Sequence, residues 1–220
     1  MSAHKEDYLK QIFLLEEQRG KANLSALATV LNLKPASVTE MVRKLAAEGD
    51  VQYMPYTPVQ LTKQGRQRAV KIIRRHRLWE TFLVDVLKYN WANVHKEAET
   101  FEHYITDEME NRLDQILDHP EFDPHGAPIP LPDGSLPLAP NAEKLFTVPD
   151  NKTVQIVRVL DEDVNILREI DALGLKLGQR VTVRRNHENT DEIMLEGSTT
   201  SWTISTTLTH YIYVVQGGKQ

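Results

Sequence analysis

The chain has no cysteine among its 220 residues. That excludes disulfides, thiolate zinc sites, iron–sulfur clusters and cysteine nucleophiles, so any metal must be held by His, carboxylate or amide oxygen. No apolar run approaches the roughly 18–20 residues a membrane span needs. The first ten residues are charged and lack the apolar stretch of a secretory signal. A cytoplasmic protein with no membrane partner is the expectation. Hydrophobic residues at 40% and charged residues at 26% fit a folded globular chain rather than a disordered one. At roughly 100–200 residues per domain, the length allows one large domain or two to three small ones.

The net charge of −5 conceals a gradient along the chain. Residues 1–72 hold 11 Lys/Arg against 7 Asp/Glu, whereas residues 73–140 hold 6 against 13. A basic first third on an acidic remainder fits a nucleic-acid binder with a separate acidic site. Seven of the eleven prolines lie between Pro120 and Pro140. Proline lacks a backbone donor and fixes its own backbone, so this stretch reads as a linker, taken as 120–150. Before it the apolar spacing is helical, and after it the spacing alternates with period two.

Upstream, Tyr8, Ile12 and Leu15 mark an amphipathic helix ending near Gly20. A short helix with Asn23 or Ser25 as its cap follows, with Leu24, Leu27, Ala28 and Leu31 facing inward. Pro35 opens a third helix over Ala36–Glu48 that buries Val38, Met41, Val42 and Leu45 and stops at Gly49. Two β-rich runs, Val51–Met54 and Val59–Thr62, flank Pro55-Tyr56-Thr57-Pro58 and read as a hairpin. Further helices are expected over about Lys63–Leu87, Ala92–Ile105 and Asp107–Leu117.

Helix, helix, turn, helix, hairpin is the order of a winged helix-turn-helix, whose recognition helix enters the major groove. Its exposed face would offer Ser37, Thr39, Glu40, Arg43 and Lys44. Short hydroxyls suit phosphates or base edges, and Arg43 and Lys44 suit phosphates. Lys34 sits at the same helix start, where Pro35 and Ala36 suit a thymine methyl. A small helical protein-interaction module would show the same pattern.

The acidic middle holds His95, Glu99, Glu102 and His103 at helical positions i, i+4, i+7 and i+8, which share one side of a helix. His76 and Glu80 form a second co-facial pair. Clustered carboxylates repel one another unless a cation neutralises them, which favours a metal over a solvated face. Oxygen and imidazole donors without sulfur suit Mn²⁺ or Fe²⁺, while Zn²⁺ would bind at least as tightly in a test tube.

The chain resembles the diphtheria-toxin-repressor family of metal-dependent transcriptional regulators. The likeness rests on Glu6-Asp7-Tyr8-Leu9, on the run Pro35 to Leu45, on Arg75-His76-Arg77-Leu78, on His95 to His103, and on Pro124-His125-Gly126-Ala127-Pro128-Ile129-Pro130. It implies a mainly α fold with a β-barrel tail: a winged helix-turn-helix over 1–72, a helical dimerisation and metal-binding domain over 73–140, and an SH3-like domain over 151–220. It also implies a homodimer acting on double-stranded operator DNA. By position it makes Asp7, Glu99, Glu102 and His103 a primary metal site, and His76, Glu80 and His95 a second one. Relatives donate an oxygen from the SH3-like domain to the second site; Asp163 is placed there first by spacing, with Asp161 close behind, unless the acidic residues simply cap a helix over Val164–Leu173. Carboxylates at Asp7 and Glu99, where the iron-responsive branch has Met and Cys, resemble the manganese-responsive branch. Lys10 stands where some two-domain relatives have a glutamate ligand, which favours two separate sites over a close binuclear one.

Two rival readings differ in class. One is a di-metal carboxylate enzyme, which needs matched Glu-x-x-His motifs on two helix pairs, whereas only His103 stands in such a setting. The other is a winged-helix regulator answering to an organic ligand or a protein partner, with DNA binding indifferent to chelators.

Overall fold

The computed structural model describes residues 2–138, 141–161, 163–185 and 191–217. The chain forms two compact units. The first comprises Met1–His76, Glu99–Arg112 and Pro130–Ser135, and the second Arg77–Ala98, Leu113–Ile129 and Leu136–Gln220.

In the first unit, α1 (Ala3–Arg19) buries Tyr8, Leu9, Ile12, Phe13 and Leu15 and ends at Gly20, whose φ of 69° closes the helix onto the Glu16 carbonyl. After α2 (Leu24–Val30), Asn32 takes a left-handed turn, and Pro35 then starts α3 (Pro35–Ala47), where its missing donor costs nothing. Val38, Val42 and Leu45 point into the core, while Met41 is only half-buried. The wing is shorter than expected. Strands β1 (Val51–Gln52) and β2 (Gln60–Leu61) pair antiparallel, and fully exposed Tyr56 sits at the tip with φ 67°. The prolines at 55 and 58 withhold donors from the tip, which limits the ladder to two residue pairs. The long α4 (Lys63–Asp85) follows. Its Gly65 lies so close to the Asp50 carbonyl that a Cβ would stand 1.9 Å from that oxygen. Arg68 grips both Asp50 oxygens at 2.8 Å, tying the base of the wing to α4.

The next expected helix, over 92–105, is divided. A short 3₁₀ turn (Trp91–Asn93) leads into α5 (Val94–Phe101), and Glu102, His103 and Tyr104 lie in a turn before α6 (Asp107–Ile116).

In the second unit, antiparallel strands run in the order β3-β8-β4-β5-β6-β7, from β3 (Glu143–Lys144), β4 (Thr153–Val159), β5 (Arg180–Arg185), β6 (Glu192–Glu196), β7 (Ser201–Ser205) and β8 (Ile212–Gln216). Alternate residues such as Val154, Ile156, Val181, Val183, Ile193 and Leu195 build one core together with Leu167 and Ile170 of α7 (Val164–Leu173). The SH3-like expectation fits, but the sheet is open: among the described residues no ladder joins β7 to β3, and two-residue β3 is too short to close a barrel. Part of the proline-rich stretch is built structure rather than a plain linker. Asp123 Oδ1 accepts from the backbone N–H of His125 and Ala127, and Phe122 bridges to Pro128. Gly126, with φ 84°, approaches the Val157 carbonyl too closely to admit a side chain. Residues 139 and 140 of that stretch, and Glu162 of the acidic run, fall outside the described residues.

Candidate metal centre

Asp7 of α1 meets Glu102 and His103 of the turn after α5, each offering a ligand atom within 4.8 Å of the others. His103 Nε2 is 2.9 Å from Asp7 Oδ1 and 3.4 Å from Glu102 Oε1, while Nδ1 is 2.7 Å from Glu6 Oε2. Burial, reinforced by the Glu102 charge and only partly offset by His103, raises the Asp7 carboxyl above its ordinary value. Burial pushes Glu102 the same way, but the hydrogen-bonded His76 ring and the Lys10 ammonium outweigh it and hold Glu102 below the usual range. Two carboxylates and an imidazole without sulfur fit a hard or borderline divalent ion, whose charge would relieve the Asp7–Glu102 repulsion. Glu99 is exposed on α5 and lies outside this converging trio.

The expected co-facial array of His95, Glu99, Glu102 and His103 is therefore corrected. His95 belongs to the second unit, whereas Glu99, Glu102 and His103 belong to the first. An unbroken helix would aim Glu102 and His103 along the His95 side. Breaking it at Phe101 gives up a few backbone bonds worth about 0.5–1.5 kcal/mol each and gains charged hydrogen bonds worth about 1.5–3 kcal/mol each.

In the second unit, Glu80 of α4, His95 of α5 and Asp161 after β4 converge within 4.8 Å. His95 Nδ1 lies 3.1 Å from Glu80 Oε1 and 3.5 Å from Asp161 Oδ2. Burial would raise Asp161, yet its bond to the His95 ring takes it below the ordinary carboxylate range. His76 precedes Glu80 by one turn of the same helix. Of the two aspartates expected as the donor from the SH3-like domain, Asp161 lies beside His95, while the Asp163 carboxylate caps α7 by accepting from Asn165 N at 2.9 Å.

A further buried group, Glu80, Asp123 and His125, was not foreseen. Burial and the Glu80 charge push the Asp123 carboxyl up to about 6. For His125, burial favours the neutral ring, but Glu80, Asp161 and Asp123 overcome it and push the ring up to about 9. Glu6 and Lys10 are other contributors that sequence reasoning did not assign. Glu6 adjoins Asp7 in the chain, and Lys10 lies one turn further along the same helix, so α1 periodicity was the available signal.

The expected DNA face is solvent-facing. Lys34, Pro35, Ala36, Ser37, Glu40, Arg43 and Lys44 are exposed and Thr39 is half-buried. The Thr39 hydroxyl donates to the Pro35 carbonyl at 2.9 Å, leaving its oxygen only as an acceptor. Glu40 and Lys44 form an i, i+4 pair at 2.9 Å.

Three family models match successive parts of the chain: "Iron dependent repressor, N-terminal DNA binding domain" over residues 1–59, "Iron dependent repressor, metal binding and dimerisation domain" over 62–131, and "FeoA domain" over 144–216. The iron-dependent repressor IdeR of Mycobacterium bovis is 32% identical over 189 residues, covering 81% of this chain and 82% of its own. The chain belongs to the diphtheria-toxin-repressor family. Among solved structures, a manganese-dependent transcriptional repressor in complex with manganese is 35% identical, with a TM-score of 0.89 over 96% of this chain and 99% of its own. ScaR with bound Cd²⁺ is 30% identical, with a TM-score of 0.81 over 96% and 99%.

As a diphtheria-toxin-repressor relative, the protein is a metal-dependent DNA-binding transcriptional repressor of metal homeostasis. It is a regulator and not an enzyme, which decides against the di-metal carboxylate reading, and its dependence on metal decides against an organic effector. Family membership brings operator DNA and a dimerisation domain. No described helix is long and apolar enough to cross a membrane.

Proposed function

We propose that the protein is a manganese-responsive repressor, acting as a homodimer on operator DNA, with Asp7, Glu99, Glu102 and His103 as its primary metal ligands. The observation that carries this reading is the convergence of Asp7 on α1 with Glu102 and His103 beyond α5. Asp7, Glu102 and His103 would hold a divalent ion there, whose positive charge would offset the repulsion between the two carboxylates. α1 shares its hydrophobic core with α3 through Tyr8, Leu9, Ile12, Val38 and Val42. Holding α1 to the 99–103 segment thus sets where the recognition helix stands in the first unit, and through the dimer it sets the separation of the two reading heads. Metal and DNA binding become coupled, typically by about 1–3 kcal/mol.

The second site takes Glu80, His95 and Asp161, with His76 one helical turn upstream of Glu80. Oxygen-rich donors and the absence of sulfur support Mn²⁺ as the cellular effector, with Fe²⁺ next. Zn²⁺ and other later metals occupy such donors in vitro because intrinsic affinity favours them. Lys34, Pro35, Ala36, Ser37, Thr39, Glu40, Arg43 and Lys44 make up the operator-reading face.

The test is an operator-binding titration with Mn²⁺, Fe²⁺, Zn²⁺ and a chelator, on the parent protein and on Asp7→Ala and Glu102→Ala. The expected result is metal-dependent binding that the chelator reverses and either substitution abolishes. Unchanged manganese-dependent binding by either variant would sink the primary-site assignment.

A further inference from the structure

α7 is fastened to the turn that leads into α5. The Asp171 carboxylate accepts from the Trp91 indole N–H at 2.7 Å through Oδ1 and from the Asn90 side-chain amide at 2.8 Å through Oδ2. One turn earlier on the same side of α7, the Arg168 guanidinium donates to Asn93 Oδ1 at 2.9 and 3.1 Å. The turn is itself braced: Asn90 Oδ1 accepts from Ala92 N, and the Asn93 N–H donates to the Asn90 carbonyl. Asn90, Asn93, Arg168 and Asp171 are all exposed, so water could satisfy their polar atoms equally well. What the clasp adds is a fixed position for α7.

The two elements joined in this way each lead to a donor of the second site. His95 is the second residue of α5, and Asp161 lies just upstream of Asp163, the cap of α7. Their side chains meet at 3.5 Å. α7 is ten residues long. At 1.5 Å per residue that is about 15 Å, so a tilt of about 4° at the clasped end moves the capped end by about 1 Å. A bound metal tolerates only about 0.2 Å in its ligand distances. Packing alone leaves room for such a tilt. Ala92 and Trp91 lie against the core that holds Leu167 and Ile170, but a cleft of about 480 Å³ opens among Val84, Trp91, Ile170 and Leu175.

We propose that Asp171 is a positioning residue of the second metal site: by clasping Asn90 and Trp91 it holds α7, and with it Asp161, against His95. The inference rests on the reading of Glu80, His95 and Asp161 as metal ligands, and Asp171 itself touches no ion. Without the clasp the donors are unchanged, but Asp161 must first be drawn in, and affinity falls. The coupling is reciprocal. An ion held by His95 and Asp161 keeps the clasp closed for more of the time, so the Trp91 indole hydrogen exchanges with solvent more slowly.

The test is a Mn²⁺ titration of the full chain, on the parent, Asp171→Asn, Asn90→Asp and the double variant, with Asp7→Ala marking the primary step. Asp171→Asn keeps an acceptor for the Trp91 N–H but turns one amide toward another. Asn90→Asp keeps the bond to Ala92 N but sets two carboxylates face to face. Together they put a donor opposite an acceptor again. Each single substitution is expected to weaken the second-site step about tenfold, the low end for residues that orient metal ligands. The double variant is expected to recover most of that loss, and the primary step to stay as it was. In the parent, Zn²⁺ is expected to slow exchange of the Trp91 indole hydrogen, read by NMR. Melting temperatures that fall while the second-site affinity holds, or a double variant no better than the singles, overturn the proposal. Asp161→Asn, carried in parallel, tests the ligand reading. If it leaves the titration unchanged, that reading fails, whereas a loss in Asp161→Asn with none in Asp171→Asn defeats the clasp alone.

Discussion

The Lys10 ammonium hydrogen-bonds both carboxylate oxygens of Glu102, at 2.8 and 3.1 Å, inside the first unit. Lys10 and Glu102 are both almost completely buried, and His76 Nδ1 approaches the same carboxylate at 2.5 Å. An Nδ1–H directed at Glu102 leaves nothing for the lysine to donate to, so the 3.0 Å Lys10–His76 approach follows from a shared acceptor rather than from a bond of its own. Lys10 is thus a fixed internal cation beside the candidate primary site.

Replacing Lys10 with Met keeps the length of the side chain and strands a buried carboxylate. Breaking a buried pair in this way costs about 3–5 kcal/mol. The metal-free Lys10→Met protein is expected to melt well below the parent, and Mn²⁺ is expected to raise its melting temperature by more than it raises the parent's. Superimposable metal-free melting curves would show that the pair contributes nothing.

A second prediction concerns His103, whose ring touches Glu6 and Asp7 on α1 and lies beside Glu102. If this ring helps the ion join α1 to the 99–103 segment, His103→Ala removes the coupling of metal to DNA and leaves the DNA-reading surface intact. The Mn²⁺-induced gain in operator affinity, of order 5–150-fold for a coupling of this kind, is expected to fall to near onefold, while the weak metal-free affinity persists. Fluorescence anisotropy of a labelled operator, with and without Mn²⁺, measures both quantities in one experiment.

Local signals carried much of this fold. Gly20, Pro35 and Gly49 punctuate the first three helices because each acts through its own backbone, and the helix over Val164–Leu173 was legible from its periodicity and flanking residues. What failed was anything decided by a distant partner. Periodicity continued α5 past Phe101, since nothing near Glu102 in the chain reveals that Lys10 and His76 would capture its carboxylate. The same limit hid the group around His125, where a run that reads as linker by its prolines is pinned by Asp123 and by the Val159 N–H to the His125 carbonyl. Spacing also could not tell Asp161 from Asp163, because both lie in one acidic run and only the fold sets one beside the His95 ring and the other at the cap of α7.

Arg43 is exposed on α3, with a guanidinium that offers only hydrogen-bond donors. If it meets a phosphate, Arg43→Ala weakens binding about equally across operator sequences and lowers the slope of log affinity against log salt by about one. Were it reading a base edge instead, the loss would concentrate on one operator position and the slope would hardly move. Titrations at several salt concentrations against the operator and a scrambled duplex separate the two.

Asp161 and Asp163 stand two residues apart, yet their carboxylates are engaged differently. Asp163 Oδ1 caps α7, so Asp163→Ala is expected to cost about 0.5–2 kcal/mol of stability while leaving metal stoichiometry and operator binding as they were. Asp161 Oδ2 faces the His95 ring at 3.5 Å, so Asp161→Asn is expected to weaken the second-site step in a Mn²⁺ titration while preserving the α7 cap. Thermal melting and metal counting on both variants form a crossed design in which each substitution moves one readout. The reverse pattern, with Asp163→Ala losing metal and Asp161→Asn keeping it, would return the ligand role to Asp163 and require the α7 cap to open when metal binds.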